Sequence, residues 1–489
     1  MKDKLLIKNV GMNVLRVMSG VLIPLITYPY VTRTIGPEGL GKVDFVTSIT
    51  NYFVLFSSLG IPSYGIIICA KCRNNEEELK RTICELIYIC LLLQIITYAA
   101  FGFAIVNILE LKPYKTLFLI QSLTIFFTSL SLDWLYTALE EFTYITLRTI
   151  GIKILSLFAI FAFVKSERDY LLYAWIVVIS TVLNGVINFW NARKYFKLYN
   201  PRNLKIKRHV KPIFVFFMAS MAATINGNTD IAMLGIFTND TQVGLYSFSV
   251  KIKNLMTTVI TAALSVFLPR FSFLIQQKRI REYKKMWSHV FEYTVAIASF
   301  CTLFCLFFCQ DILMLLGGKK YIESLVSMKI LVLCVYVMAW TWTLGVGVLQ
   351  PLGKEREYAL ILICACVVNV GINIILIPKY QVAGAATATL ITEIFNAILF
   401  YRFARNTIYK EISWKKVYGF LITGIIASGI TKVFLMHIKI LELRFVFEGM
   451  TNFILFFIIA YIFNEKIRND INNAVKTIRK FINKGKENI

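Results

Sequence analysis

A chain of 489 residues that is 57% hydrophobic and only 17% charged, with a mean hydropathy of +0.66, is more apolar than a water-soluble domain normally is. A soluble enzyme is excluded. The net charge of +25 does not point to nucleic acid either, because Lys and Arg concentrate between apolar stretches instead of forming a basic stripe on a folded domain. Those stretches recur from Val10 to Phe463, and each is near the roughly 20 residues that a bilayer core about 30 Å thick requires. The chain therefore reads as an all-α polytopic membrane protein.

The N-terminus is basic (Lys2, Lys4, Lys8), but Arg16 interrupts the first apolar run and no small-residue cleavage site follows. That segment is expected to stay as a transmembrane helix. About fourteen spans follow from apolar windows and their polar punctuation. The first six lie near 10–33, 43–70, 82–108, 114–139, 142–164 and 169–190. The next six lie near 212–236, 243–268, 289–312, 323–350, 358–377 and 382–404, with a final pair near 417–436 and 443–463.

Basic residues set the orientation, since short basic loops resist translocation. With the N-terminus inside, the inner segments hold 35 of the 53 Lys and Arg, against 12 in the outer loops and their flanks. Both termini are expected in the cytoplasm. The implied organisation is a six-helix lobe over 1–190, a cytoplasmic basic linker over 191–211, a second six-helix lobe over 212–404 and a helix pair over 405–463. A basic tail over 464–489 ends the chain. Its apolar residues, among them Ile467, Ile471, Val475 and Ile478, repeat at helical period and suit the anionic inner leaflet. Gly39-Leu40-Gly41 and Gly244-Leu245-Tyr246 stand 205 residues apart, each before the second span of its half. They are either marks of a parallel repeat with a site between its halves near the midplane or simply turn residues before helices.

Gly36-Pro37-Glu38-Gly39-Leu40-Gly41-Lys42 satisfies most of a phosphate-loop pattern, but Val43 replaces the magnesium-binding hydroxyl and no strand precedes it. It reads as a tight interhelical turn, and no nucleotide is expected. Energy then comes from a gradient, a potential or the substrate itself. Most of the ten Cys lie inside apolar stretches, and the lone pair Cys69 and Cys72 has no second pair or nearby His, so neither metal nor disulfide is expected.

Ionisable residues within spans carry the most information, because each costs on the order of 2.5–3.5 kcal/mol at a helix centre. Similar depth on consecutive spans joins Asp133 to Arg148 as a structural pair, and Asp230 to Lys251. Arg16, Lys153, Lys253 and Lys329 remain against one central acid, Glu393. With Lys251 these cations are the candidates for an anionic, phosphate-bearing ligand; for Arg16 and Lys329 the alternative is snorkelling to headgroups. Asn226, Asn228 and Asp230 lie near the outer end of the seventh span, where Gly227 would loosen the helix. They line a sugar-binding wall or bond helix to helix, and with Glu393 they are the polar cavity and coupling candidates. Trp134, Tyr136, Trp175, Trp190, Trp340 and Trp342 read mainly as interfacial aromatics, with sugar stacking the other use.

Several of these segments, in their linked order, resemble the polysaccharide flippases that export lipid-linked repeat units for O-antigen or capsule, in the superfamily of the MATE drug exporters and the lipid II flippase. The resemblance spans nearly the whole chain. It rests on Arg33-Thr34-Ile35-Gly36-Pro37-Glu38-Gly39-Leu40-Gly41, on Asp133-Trp134-Leu135-Tyr136 with Glu140, Arg148 and Lys153, and on Asp230-Ile231-Ala232-Met233-Leu234-Gly235. Val243-Gly244-Leu245-Tyr246-Ser247 with Lys251, Leu268-Pro269, and Gly384-Ala385-Ala386 with Glu393 complete it. Arg16 is similar to a first-span Arg of the lipid II flippase, although Val17 stands where an acid would neighbour it. The resemblance implies a bacterial plasma (inner) membrane and an undecaprenyl-pyrophosphate-linked oligosaccharide as substrate. It implies alternating access between two lobes, no cofactor, and a polysaccharide polymerase and chain-length machinery as partners. Arg33, Gly36, Gly39 and Gly41 are then gate or turn residues. A cation-coupled drug exporter of the same fold would favour acidic cavity residues, and a membrane polymerase or ligase would need a large external loop; the sequence favours neither.

Overall fold

In the bilayer core no water is present to bond a free N–H or C=O, so each apolar stretch must satisfy its own backbone as a helix. The computed structural model describes residues 2–196, 204–408, 411–463 and 468; the tail over 464–489 and part of the basic linker lie outside them, Arg468 apart. In chain order the α-helices are α1 (Lys2–Ser58), α2 (Ile61–Cys72), α3 (Glu76–Asn107), α4 (Lys115–Ser129), α5 (Asp133–Ala138), α6 (Phe142–Phe163), α7 (Tyr170–Ala192) and α8 (Lys207–Phe237). They continue as α9 (Asp240–Ser265), α10 (Leu268–Gln276), α11 (Ile280–Phe307), α12 (Cys309–Ile312), α13 (Leu325–Leu344), α14 (Glu355–Ile408), α15 (Trp414–Leu435) and α16 (Leu441–Phe463). No strand occurs among the described residues. The protein is an all-α, multi-pass membrane protein.

Among the described residues eleven segments are long and apolar enough to cross a membrane. Two of them are double, since α1 breaks at Gly36 (φ 76°, ψ 175°) and α14 at Gln381 (φ 48°, ψ −125°). The eighth expected span forms α9 but is not among the eleven; Asp240, Lys251, Lys253 and Asn254 dilute its apolar content. The second and fourth expected spans are each interrupted, at Leu59 (φ 43°) and Leu132 (φ 53°). Both halves contain a long helix followed by a short one with Pro in its first two positions, Ile61-Pro62 opening α2 and Leu268-Pro269 opening α10. Pro suits a helix start because its missing N–H lies where no intrahelical partner exists.

The contacts divide the chain into two compact units. One comprises Met1–Phe248, Leu316–Ser324 and Leu362–Ala388; the other comprises Ser249–Leu315, Leu325–Ile361 and Thr389–Ile489. These units do not follow the expected boundary at 191–211. The reason is polar as well as apolar: α8 packs on α1 and α2 and is bonded to α1 through side chains. In the first unit a core of α2, α3 and α5 side chains includes Ile83, Leu86, Trp134, Leu135 and Tyr136. Trp134 and Tyr136 are therefore internal rather than interfacial. Gly65 lets the indole approach, since a Cβ there would lie 2.7 Å from it. In the second unit Trp340 stacks on Trp414 at 5.6 Å and meets Phe291 edge-on. Trp175, Trp190 and Trp342 stay exposed.

Candidate substrate-binding site

α1 and α6 lie side by side, joined where Thr146 Oγ1 donates to the Met12 carbonyl at 3.0 Å. About two turns along, Lys153 Nζ overlies Gly20, where an added Cβ would be 3.5 Å away. Arg16, one turn before Gly20, donates Nη2 to Asn13 Oδ1 at 3.0 Å, and its charge reaches Lys153. Among the described residues neither cation has an acidic partner. Two like charges in a poorly polarisable surrounding repel, and an anion between them would turn that repulsion into attraction.

The other expected cations belong to the second unit. Lys251 and Lys253 are half-buried on α9, and Lys329 is exposed on α13 beside Cys309. Glu393 is half-buried on α14, within electrostatic reach of Tyr358.

Arg148 and Asp133 meet, with Nη2 3.0 Å from Oδ1. The Arg side chain is 6% exposed and the Asp side chain 50%. Asn188 Nδ2 donates to the same carboxylate oxygen at 2.7 Å, and the guanidinium lies 5.9 Å from the Tyr144 ring centre. Arg148 Nε and Nη1 have no hydrogen-bond partner among the described residues.

Asp230 is buried. Its Oδ2 accepts from Tyr246 Oη at 2.6 Å and its Oδ1 from Asn373 Nδ2 at 2.6 Å. Asn373 Nδ2 also donates to Asn369 Oδ1 at 3.0 Å, while Asn373 Oδ1 has no partner among the described residues. Asn228 Oδ1 accepts from Asn51 Nδ2 at 2.9 Å, Thr229 bonds Tyr52 at 2.8 Å, and Asn226 Oδ1 accepts from Cys366 Sγ at 3.2 Å. These side chains bond helix to helix, tying α8 to α1 and α14. The helix runs unbroken through Gly227, which corrects the expectation that it loosens there: the i→i−4 ladder tolerates an isolated Gly at a cost of about 1 kcal/mol.

The turn motif is an element of close packing. Gly36 takes the left-handed φ that ends the first half of α1, a conformation open to Gly at little cost. A Cβ on Gly41 would lie 1.7 Å from the Asp240 carbonyl oxygen, and one on Gly244 would lie 1.9 Å from that of Pro37. The two triplets spaced 205 residues apart in sequence thus lie against one another, backbone on backbone. Lys42 is engaged by Glu38 at 2.7 Å and lies 5.4 Å from the Tyr170 ring centre. Gly39 lies against Tyr170, and Arg33 is exposed beside Gly318.

Residues 6–275 match the family described as polysaccharide biosynthesis protein. The chain belongs to this family. An O-antigen transporter of Escherichia coli (strain K12) is 20% identical over 270 residues, 54% of this chain and 64% of that protein, so the chain spans less than two thirds of that relative. Capsular polysaccharide biosynthesis protein CapF of Staphylococcus aureus is 22% identical over 401 residues, 81% of this chain and 97% of the relative. The fold is that of the lipid II flippase MurJ in an inward closed conformation, with a TM-score of 0.76 at 15% identity, covering 94% of this chain and 99% of that one. An inward-facing multidrug resistance MATE family transporter follows at 0.64 and 12% identity, covering 80% and 95%.

In the described structure one further polar cluster has no signature in the sequence. Glu85 on α3 is fully buried. Its Oε2 lies 2.7 Å from His209 Nε2 and 2.8 Å from Arg208 Nη2, and its Oε1 accepts from the Lys205 N–H at 2.7 Å. His209 Nδ1 pairs with Tyr64 Oη at 2.8 Å. The network fastens the start of α8, and the linker end before it, onto α3 and α2. Its members are 124 residues apart in the chain at the Glu85–His209 bond, and nothing local signals it.

Proposed function

We propose that the protein is a flippase that moves undecaprenyl-pyrophosphate-linked oligosaccharide repeat units across the bacterial plasma membrane by alternating access, serving O-antigen, capsule or exopolysaccharide synthesis. The observation that carries this reading is the Arg16–Lys153 pair: two cations in apolar helices, close enough to repel, without a carboxylate partner among the described residues. A pyrophosphate supplies the missing charge, and charge-assisted contacts to it are worth about 1.5–3 kcal/mol each. Family membership supports the pathway, and the names of the relatives support a glycan-bearing substrate. No covalent step is needed. The buried Asp230–Asn369–Asn373 node, with its unpartnered amide oxygen, is the candidate for coupling transport to a cation.

Complementation of a flippase-deficient strain tests the reading, with membrane abundance measured in parallel. Arg16→Gln and Lys153→Met should each reduce export about tenfold or more while abundance stays at or above wild type, because removing an uncompensated cation relieves repulsion. Full export by the double variant would remove the cationic site from the mechanism.

A further inference from the structure

The last helix pair carries a charged cavity that the flippase reading does not use. Where α15 and α16 turn into one another, a cavity of 280 Å³ is lined by Phe307, Gln310, Asp311, Lys432, Met436, Arg444 and Glu448. Arg444 Nη2 contacts Asp311 Oδ1, and Arg444 Nε lies 3.5 Å from Glu448 Oε1. Lys432 Nζ donates to the Phe307 carbonyl at 2.9 Å, which leaves two of its N–H groups over. The Glu448 side chain is 3% exposed, and its Oε2 has no hydrogen-bond partner among the described residues. A buried carboxylate oxygen without a donor is costly, so the cavity is shaped for a ligand that brings one.

We propose that this cavity binds a phospholipid headgroup carrying both a phosphate and a primary ammonium, the phosphatidylethanolamine class. The cavity holds two acids and two bases, a match for a zwitterion. Its ammonium N–H groups would reach Glu448 Oε2, and its phosphate would meet Lys432 and Arg444. The place suits a lipid: the short connection at 436–440 carries His437 and Lys439, while Val433, Phe434, Leu443 and Phe447 around it are exposed apolar side chains against which acyl chains can lie. A choline headgroup has no N–H to donate, and a glycerol headgroup has no cation. Selection among the three reads directly on Glu448.

The test is native mass spectrometry of the full protein released from nanodiscs of equal parts phosphatidylethanolamine, phosphatidylcholine and phosphatidylglycerol. Wild type should retain the ethanolamine lipid over the choline lipid by about tenfold. Glu448→Gln should bring that ratio near one, whereas Lys432→Met should lower retention of both lipids and leave their ratio intact. A wild-type ratio near one overturns the proposal whether or not either variant folds, and so does an undiminished ratio in Glu448→Gln.

Discussion

Arg148 is held by one short contact to Asp133 and one to Thr149, with two of its nitrogens unpartnered. A guanidinium this deep depends on its single carboxylate, so Asp133→Asn strands a charge; breaking such a buried pair costs about 3–5 kcal/mol, less here because Asp133 is half exposed. The variant should accumulate less in the membrane and melt earlier, and adding Arg148→Gln should restore much of the loss. Normal abundance with failed export in Asp133→Asn would instead place the carboxylate in transport. This contact was legible in the sequence because depth on consecutive spans limits which charges can meet. The Glu85–His209–Arg208 network was not, since its partners come from α3 and a distant linker end and no periodicity relates them.

At the scale of helices, hydropathy marks existence better than continuity. The bilayer forces any apolar stretch into a helix, and the spans followed from that alone. The break at Leu59 is marked by Gly60 and Pro62 just after it, whereas that at Leu132 has only Ser131 and Asp133 beside it; in both, leucine at positive φ is an outcome of packing and not of local preference. Gly41 and Gly244 are different, because close backbone approach demands Gly there and the sequence shows it. Gly244→Ala should therefore push the α9 start from Pro37, an overpacking cost of about 1–3 kcal/mol. Gly227, with nothing within 4 Å of an added Cβ, lies inside α8, and Gly227→Ala should stabilise by up to about 1 kcal/mol. Melting midpoints of the two variants should move in opposite directions; a shared direction would refute the packing argument.

For the whole molecule the distribution of charge sets which face is which. The 191–211 segment holds eight Lys and Arg, and carrying each against a potential of 100 mV costs about 2.3 kcal/mol, far more than one loop's folding could return. We therefore expect this segment in the cytoplasm and the α15–α16 connection outside. Lys207 is exposed and makes none of the bonds to Glu85, so a Cys placed there, after the native Cys are replaced, reports topology without loosening the α8 start. An impermeant thiol reagent should modify it only in opened cells. A Cys at Lys439, exposed in the connection between the last two helices, should react in intact cells. The reverse pattern at both positions would invert the orientation while leaving the fold untouched. Lys207 reacting in intact cells while Lys439 keeps its expected behaviour would break the odd number of crossings between them, and with it the expectation of fourteen spans.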